Sequence, residues 1–211
     1  MPHSGAEYFT HPEKGGLKRD PKTIFSHTMP GAGSHELLQN AVTLKLKAEK
    51  IQDDIQVRIE IVNDRTGHHV PTDSPLRHLI LLVSAYDRDE TPLALKTGPI
   101  LPEWCGKGGP GTGSYAGQPG KVFAKVLEEM WTGISPTAAY WNPTRVVMDT
   151  RLGAFESDVS EFLFAAPESG TAKIKAVLLY RRAYKELMDL KKWDTRDIVM
   201  ESAEVFISPN Q

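Results

Sequence analysis

Histidine is the residue type in this chain that is best suited to chemistry. The sequence holds seven histidines, and two of them, His68 and His69, are adjacent in the polar segment NDRTGHHVPTDSP at residues 63–75. Neutral imidazole is the commonest protein ligand for transition metals, and it also binds haem iron. A segment that glycine and proline punctuate between apolar runs is a loop, where binding groups are commonly placed. The pair is therefore a candidate for a ligand-binding loop.

Three histidines are candidate ligands: His27, His68 and His69. None of the seven forms an HxH or HxxxH pair, so spacing alone does not define a local metal site. If the loop is extended at residues 68 and 69, the two side chains point to opposite faces, and only one faces a given ligand. The residues themselves leave open which one does so. We expect surface or structural roles for the other four: His3, His11, His35 and His78.

Other catalytic signatures are missing. The sequence has no GxSxG, no HExxH, no P-loop and no GxGxxG that opens a helix after a strand. The glycine-rich residues 106–113 lack a following GK[ST], which favours a flexible loop over a phosphate cradle. Asp149 and Arg151 alternate along a predicted strand, where an ion pair or a solvated edge is favoured over acid–base catalysis. We expect no enzymatic activity of the chain's own.

Composition and charge exclude several classes of partner and site for this chain. With a formal net charge of -2 and 25% charged residues, the chain lacks the basic footprint of a nucleic-acid-binding protein. Its longest apolar runs, such as residues 79–83, are far too short for a transmembrane segment. The first twenty residues contain no apolar stretch of the signal-peptide type, so we expect no signal peptide in this chain. The single cysteine, Cys105, excludes an internal disulfide and predicts a buried, unreactive thiol.

The elements that position the candidate loop follow a two-residue period. Residues 42–48 and 55–61 alternate apolar and polar side chains, which predicts half-buried antiparallel strands. Residues 78–86 are apolar on both faces, as in a central strand, and we expect His78 at its start to make a structural hydrogen bond. The same reasoning predicts four further strands, at residues 144–152, 160–165, 171–183 and 197–208.

Three segments favour helix. Residues 34–42 and 183–194 predict short helices. Residues 119–131 have apolar side chains at three- and four-residue spacings, which predicts an amphipathic helix, with an irregular strand as the alternative.

Residues 97–120 contain eight glycines and are too long for an ordinary connection, so we expect them to be functional or mobile.

The strand count indicates the fold class. Seven or eight strands with turn signals between them and few helices predict a mainly β protein, an antiparallel immunoglobulin-like β-sandwich with one or two short helices. Residues 1–33 are polar and without period, which predicts an extended N-terminal arm. Residues 34–211 are then the β-sandwich domain.

Two short motifs occur in order along the chain. The first is SHTMPG at residues 26–31, and the second has the form N-x-x-x-G-H-x-x-P-T at residues 63–72. This order resembles the C-terminal β-rich domain of multihaem c-type cytochromes, in which S-H-x-[FM]-x-G precedes [AT]-G-H-x-[FIV]-P-T-G. Asp73 stands where that family has the last glycine, and aspartate tolerates unusual backbone dihedrals better than most residues.

The resemblance extends over most of the chain. It continues in GKVFAKVL (residues 120–127), DTR (149–151), AVLLYRR (176–182) and DIVM (197–200). In the family the last haem-attachment motif, CxxCH, is often followed directly by Met-Pro, and this chain begins Met1-Pro2. Our hypothesis is that the chain is the haem-free C-terminal domain or fragment of a longer cytochrome, or a diverged relative.

The resemblance implies a role in electron transfer. Covalent attachment of haem c requires a pair of cysteines and a histidine, and this chain lacks that motif, so the haem would be carried by a neighbouring domain or partner. On this reading His68 and His27 correspond to distal axial ligands, and His69 is a variable neighbour. A hydrogen bond from the second ring nitrogen, for example to a loop carbonyl, would orient each ligand. Bis-histidine ligation leaves no open iron position and favours electron transfer. Family resemblance also implies a periplasmic or extracellular location.

Two alternatives stay open at the level of sequence. A free-standing β-sandwich could hold a metal such as copper or zinc through His27, His68 and His69, or could bind a protein partner through the same loop. In a purely structural role, the histidines would serve as hydrogen-bonding groups of the loop.

Overall fold

The protein is built from two antiparallel β-sheets. A computed structural model describes residues 3–26, 31–72 and 74–208. The strands found there are, in chain order, Thr43–Ile51 (β1), Asp54–Val62 (β2), His78–Tyr86 (β3), Leu95–Thr97 (β4), Gly120–Glu129 (β5), Thr144–Asp149 (β6), Ser157–Ala165 (β7), Ala172–Arg181 (β8) and Ile198–Ile207 (β9). The α-helices are His35–Gln39 (α1) and Lys185–Lys191 (α2).

The order of the strands confirms the predicted fold class. One sheet has the order β1-β2-β7-β4, and the other has the order β6-β5-β3-β8-β9. These correspond to the A-B-E-D and C″-C′-C-F-G sheets of an immunoglobulin variable-type sandwich. β4 takes the D position although it precedes β5 and β6 in the chain. The predicted strands β1 to β3 and β6 to β9 are all present, together with helices α1 and α2.

The core forms from the alternating faces of the strands. On β2, Ile55, Val57, Ile59 and Ile61 are buried while Arg58 is exposed, as the two-residue period predicts. β3 is different because both of its faces are covered. Burial of apolar side chains on both faces is the expected environment of a central strand.

The outer face of β3 is covered by the long segment between β4 and β5. This segment contains short 3₁₀ helices at Glu103–Cys105 and Pro110–Thr112. Leu101 and Cys105 from the segment pack with Ile80 of β3 into one buried cluster. Burial raises the pKa of the Cys105 thiol to about 12, as expected for an unreactive thiol.

A buried arginine fastens the same segment. Arg181, at the end of β8, forms a two-bonded ion pair with the carboxylate of Asp197, at 2.8 and 2.6 Å. Two further N–H groups donate to the carbonyl oxygens of Cys105, at 2.8 Å, and Gly113, at 2.5 Å. The guanidinium therefore anchors the glycine-rich segment to the sheet, a role that fits its planar array of donors.

The helix predicted for residues 119–131 is wrong, and the alternative of a strand is correct. These residues form β5, which lies between β3 and β6. Val122, Phe123, Ala124 and Val126 are all buried, because both faces of β5 are covered. A strand buried on both faces can carry apolar residues at spacings that resemble a helical period.

Residues 1–34 form a separate unit from residues 35–211. In the described part of this N-terminal unit, antiparallel bridges join His3 to Phe25 and Tyr8 to Lys18. The ring of His3 stacks on that of Phe25 with 4.7 Å between centroids. No helix in the part of the chain that the structure describes is long and apolar enough to cross a membrane.

His78 makes the structural hydrogen bond that was predicted for it. Its Nδ1 lies 3.0 Å from the carbonyl oxygen of Leu76, and the ring is fully buried. It stacks on the ring of Tyr184, with 5.5 Å between centroids, and meets Trp104 edge-on at 5.2 Å. Burial lowers the pKa of His78 to about 4.

This burial predicts a pH-dependent stability. Because the pKa of His78 falls from 6.5 to about 4 on folding, the unfolded chain binds more protons between these values. The contribution of His78 to the free energy of unfolding is complete above about pH 7 and is lost progressively towards pH 4, by about 3 kcal/mol in total. The free energy of unfolding can be measured across this pH range by urea denaturation, with tryptophan fluorescence as the signal.

Matched variants isolate the contribution of His78 from that of the carboxylates. His78→Gln lacks the titrating ring and should lose this part of the pH dependence. His35→Gln changes an exposed histidine and should retain it. Identical pH profiles for His78→Gln and the parent chain would contradict the assignment.

Candidate functional site

The candidate ligand His68 lies on the surface, in the connection between β2 and β3. Its side chain is exposed, and its Nδ1 lies 2.9 Å from the carbonyl oxygen of His69. Because a carbonyl oxygen can only accept, Nδ1–H is the donor in this hydrogen bond. In the neutral ring Nε2 is then unprotonated, with its lone pair available to a metal or to iron. The hydrogen bond from the second ring nitrogen to a loop carbonyl is the kind of contact that orients a ligating imidazole.

The backbone that carries His68 is held by a buried carboxamide. The side chain of Asn63, which is 0% exposed, donates from Nδ2 to the carbonyl oxygens of His68 at 2.8 Å, Gly153 at 2.9 Å and Leu152 at 3.2 Å. Its Oδ1 accepts from Oγ1 of Thr66 at 2.6 Å and from the Thr66 amide at 3.3 Å. Every polar atom of this buried amide therefore has a partner, as burial of an amide requires.

A short backbone pairing fastens the loop on the other side of His68. The amides of Val70 and Leu152 each donate to the other residue's carbonyl oxygen, at 2.9 Å, and both side chains are buried. At the start of the loop, the Asn63 amide donates to the carbonyl of Glu156 at 2.9 Å, and the Phe155 amide donates to that of Asn63 at 2.8 Å. His68 therefore lies between two fixed points, with its main chain held and its ring exposed.

His69 has a different environment. The pKa of Asp149 is lowered mainly by its hydrogen bond with Arg151, and His69 adds a minor electrostatic contribution in the same direction. Arg151 donates to both oxygens of the Asp149 carboxylate, from Nε at 2.8 Å and from a terminal nitrogen at 2.7 Å. Of the ion pair and the solvated edge predicted for these two residues, the structure shows the ion pair. His69 is therefore near an ion pair at the end of β6, while its carbonyl oxygen accepts from the ring of His68.

His27, the other candidate ligand, lies outside the described residues. Its position relative to His68 therefore stays a prediction. Within residues 3–26, 31–72 and 74–208, no group of three or more histidine, cysteine, aspartate or glutamate side chains is arranged to hold a metal ion. The metal site proposed from His27, His68 and His69 depends on the undescribed His27.

Asn63 is a residue of the candidate site that the sequence reasoning did not single out. It is the first residue of the N-x-x-x-G-H pattern, so its type and spacing were a usable signal. The carboxamide was not recognised as the anchor of the loop because two of its acceptors belong to Leu152 and Gly153, which are distant in sequence.

One similarity to a solved structure concerns the fold. The chain is similar to a penta-heme cytochrome c552 from Thermochromatium tepidum, with a TM-score of 0.64 and 20% sequence identity. The match covers 88% of this chain and 44% of the cytochrome chain, so the present chain spans less than half of that protein's length. Likeness at this identity shows a shared fold. No protein-family model matches the chain, and no curated protein matches it in sequence.

The Asn63 network predicts a stability effect. In Asn63→Ala, the carbonyl oxygens of His68, Leu152 and Gly153 lose a buried donor, so we expect the free energy of unfolding to fall by roughly 2–4 kcal/mol. Urea denaturation measures the change. Asn40→Ala is the matched control, because the Asn40 side chain donates once, to Glu36, at an exposed position. Equal effects of the two substitutions would contradict the anchoring role of Asn63.

Proposed function

We propose that this chain is an electron-transfer-associated module that supplies His68 as a distal axial ligand to a haem c carried by a neighbouring domain or partner. The observation that carries the proposal is the geometry of His68: an exposed ring whose Nδ1–H donates to the His69 carbonyl, on a backbone anchored by Asn63. This arrangement leaves Nε2 free to bind iron without a change in the loop. A fold shared with a penta-heme cytochrome supports the proposal.

The chain's own chemistry is limited to ligation and packing. A haem c held elsewhere would supply the redox-active iron, and bis-histidine ligation would leave it no open position for a substrate. His68 would supply one imidazole ligand to that iron. We propose the same ligand role for His27, and no enzymatic activity for the chain alone.

The resemblance of the sequence motifs extends the proposal to the setting of the chain. We propose that it is the haem-free C-terminal part of a multihaem c-type cytochrome, or a separate subunit of one, in the periplasm or outside the cell. The alternative of a copper or zinc site through His27, His68 and His69 lacks a supporting cluster in the described part of the chain.

Optical titration with a haem c peptide tests the ligand role. The probe carries one histidine ligand and an open axial position, so a second imidazole converts its iron to the low-spin form and shifts the Soret band. We expect the parent chain to bind at least about tenfold more tightly than His68→Ala, since a pre-oriented ligand binds with less loss of conformational freedom.

Controls identify which imidazole is responsible. His69→Ala retains the backbone carbonyl that orients His68, so it should bind the haem peptide as the parent does. His35→Ala removes an exposed histidine from α1 and should also have no effect. Titration curves that are the same for His68→Ala and the parent chain would contradict the proposal.

The source of the haem can be settled from the coding DNA. If the haem-bearing domain belongs to the same polypeptide, codons for CxxCH motifs should lie in frame upstream of Met1. An in-frame stop codon with no such motif would exclude that version and leave a separate haem-bearing subunit as the partner.

A further inference from the structure

A groove lined by aromatic side chains lies at the same end of the sandwich as the His68 loop. β3 and β5 are antiparallel, and His78 at the start of β3 pairs with Ala124 of β5. The residues of β5 after Ala124 and the β5–β6 connection therefore extend beyond the start of β3, where the His68 loop also lies. The groove lies between this connection and α2, has a volume of about 710 Å³, and includes Ser74 and Leu76 from the His68 loop. We call it the aromatic groove, and its main apolar lining is Trp104, Ile134, Tyr140, Trp141, Tyr184 and Leu190.

Four aromatic rings of the groove form two edge-to-face pairs. Trp104 and Tyr184 meet at 83° with 5.6 Å between centroids, and Tyr140 and Trp141 meet at 79° with 5.1 Å. Tyr140 is 91% exposed and Trp141 is 70% exposed. Exposed apolar groups gathered in one place mark an interaction site more often than scattered ones do. The faces of these rings carry negative electrostatic potential.

A buried carboxylate also lines the groove. Glu129 accepts hydrogen bonds from Oγ1 of Thr132 at 2.9 Å, from Oγ1 of Thr137 at 3.0 Å and from Nδ2 of Asn142 at 3.1 Å. The bonds from Thr132 and Thr137 are the main causes that lower the pKa of Glu129, so the group is ionised at neutral pH. All three donors are uncharged, so they orient the carboxylate, and none of the described residues forms an ion pair with it.

The other described residues of the lining add no positive charge. The other ionisable acid in the groove is Glu186, which is exposed on α2, and no lysine, arginine or histidine is among the described residues that line it. Lys107 lies within electrostatic reach of Glu186 but is paired with Glu103 at 2.8 Å. The groove therefore combines ring faces with uncompensated negative charge.

We propose that the aromatic groove binds a small organic cation of the alkylammonium class. Cations are attracted to the faces of tryptophan and tyrosine, and the methyl groups of a quaternary ammonium also bury apolar surface against them. The carboxylate of Glu129 adds a Coulombic attraction that a neutral ligand would not receive, and a neutral ligand would further desolvate that charge. The site is independent of the proposed ligation of haem by His68.

A pair of isosteric ligands tests the requirement for charge. Choline is titrated into the full chain and compared with its neutral carbon isostere, in which a tert-butyl group replaces the trimethylammonium group. Proton NMR of the tryptophan and tyrosine ring signals follows both. We expect saturable shifts with choline and binding at least about tenfold weaker for the isostere. Equal binding of the two, or no saturable shift with choline, would overturn the proposal.

Variants place the ligand in the groove. Trp141→Ala should weaken choline binding by at least about fivefold, because it removes an exposed ring of the lining. Trp131→Ala is the matched control, since Trp131 is 78% exposed on the same connection but lies outside the lining. Glu129→Gln tests what the buried carboxylate charge contributes to choline binding. If that variant does not fold, Glu186→Gln tests the exposed carboxylate of the groove in the same way. Equal losses in Trp131→Ala and Trp141→Ala would also overturn the assignment.

Discussion

The buried carboxamide of Asn63 is the interaction on which the presentation of His68 depends. It lies where the β2–β3 connection leaves the sandwich, and it holds that connection to residues 152–153 by donating to the carbonyl oxygens of Leu152 and Gly153. The paired amides of Val70 and Leu152 complete the attachment. An exposed imidazole on a free loop would lose conformational freedom when it bound iron, whereas here the backbone is already fixed. The sandwich thus fixes the backbone beneath the exposed ring of His68.

Much of the fold was predictable from alternation, and the errors have physical causes. The faces of β2 differ in polarity because one face meets the core and the other meets water, so Ile55 to Ile61 alternate visibly. β5 is buried on both faces, so its apolar residues have no two-residue period and resemble a helix. β4 has three residues and pairs with β7 through a register shift, which leaves no pattern to detect. The cover that residues 97–120 provide over β3 depends on Arg181, which is far along the chain.

The loop that carries the candidate site was predictable from the sequence, and the contacts within it were less so. The glycine and proline residues predicted the loop, and the ability of imidazole to bind metals made His68 and His69 candidate ligands. Strand geometry could not distinguish the two residues, because their difference lies in a ring-to-backbone hydrogen bond and in the nearby Asp149–Arg151 pair. The aromatic groove was also beyond sequence reasoning, since its lining comes from four separate segments. Both features lie at one end of the sandwich, the usual location of binding loops in immunoglobulin-like folds.

The central claim is that Nε2 of His68 binds the iron of a haem c, and NMR of the ferrous complex tests it most directly. Low-spin ferrous haem is diamagnetic, and its ring current shifts the protons of an axial imidazole strongly upfield. With a haem c peptide bound to the chain under reducing conditions, the ring protons of His68 should move far upfield while those of His69 remain near their positions in the free chain. Unshifted His68 ring protons in that complex, with another histidine shifted instead, would contradict the account.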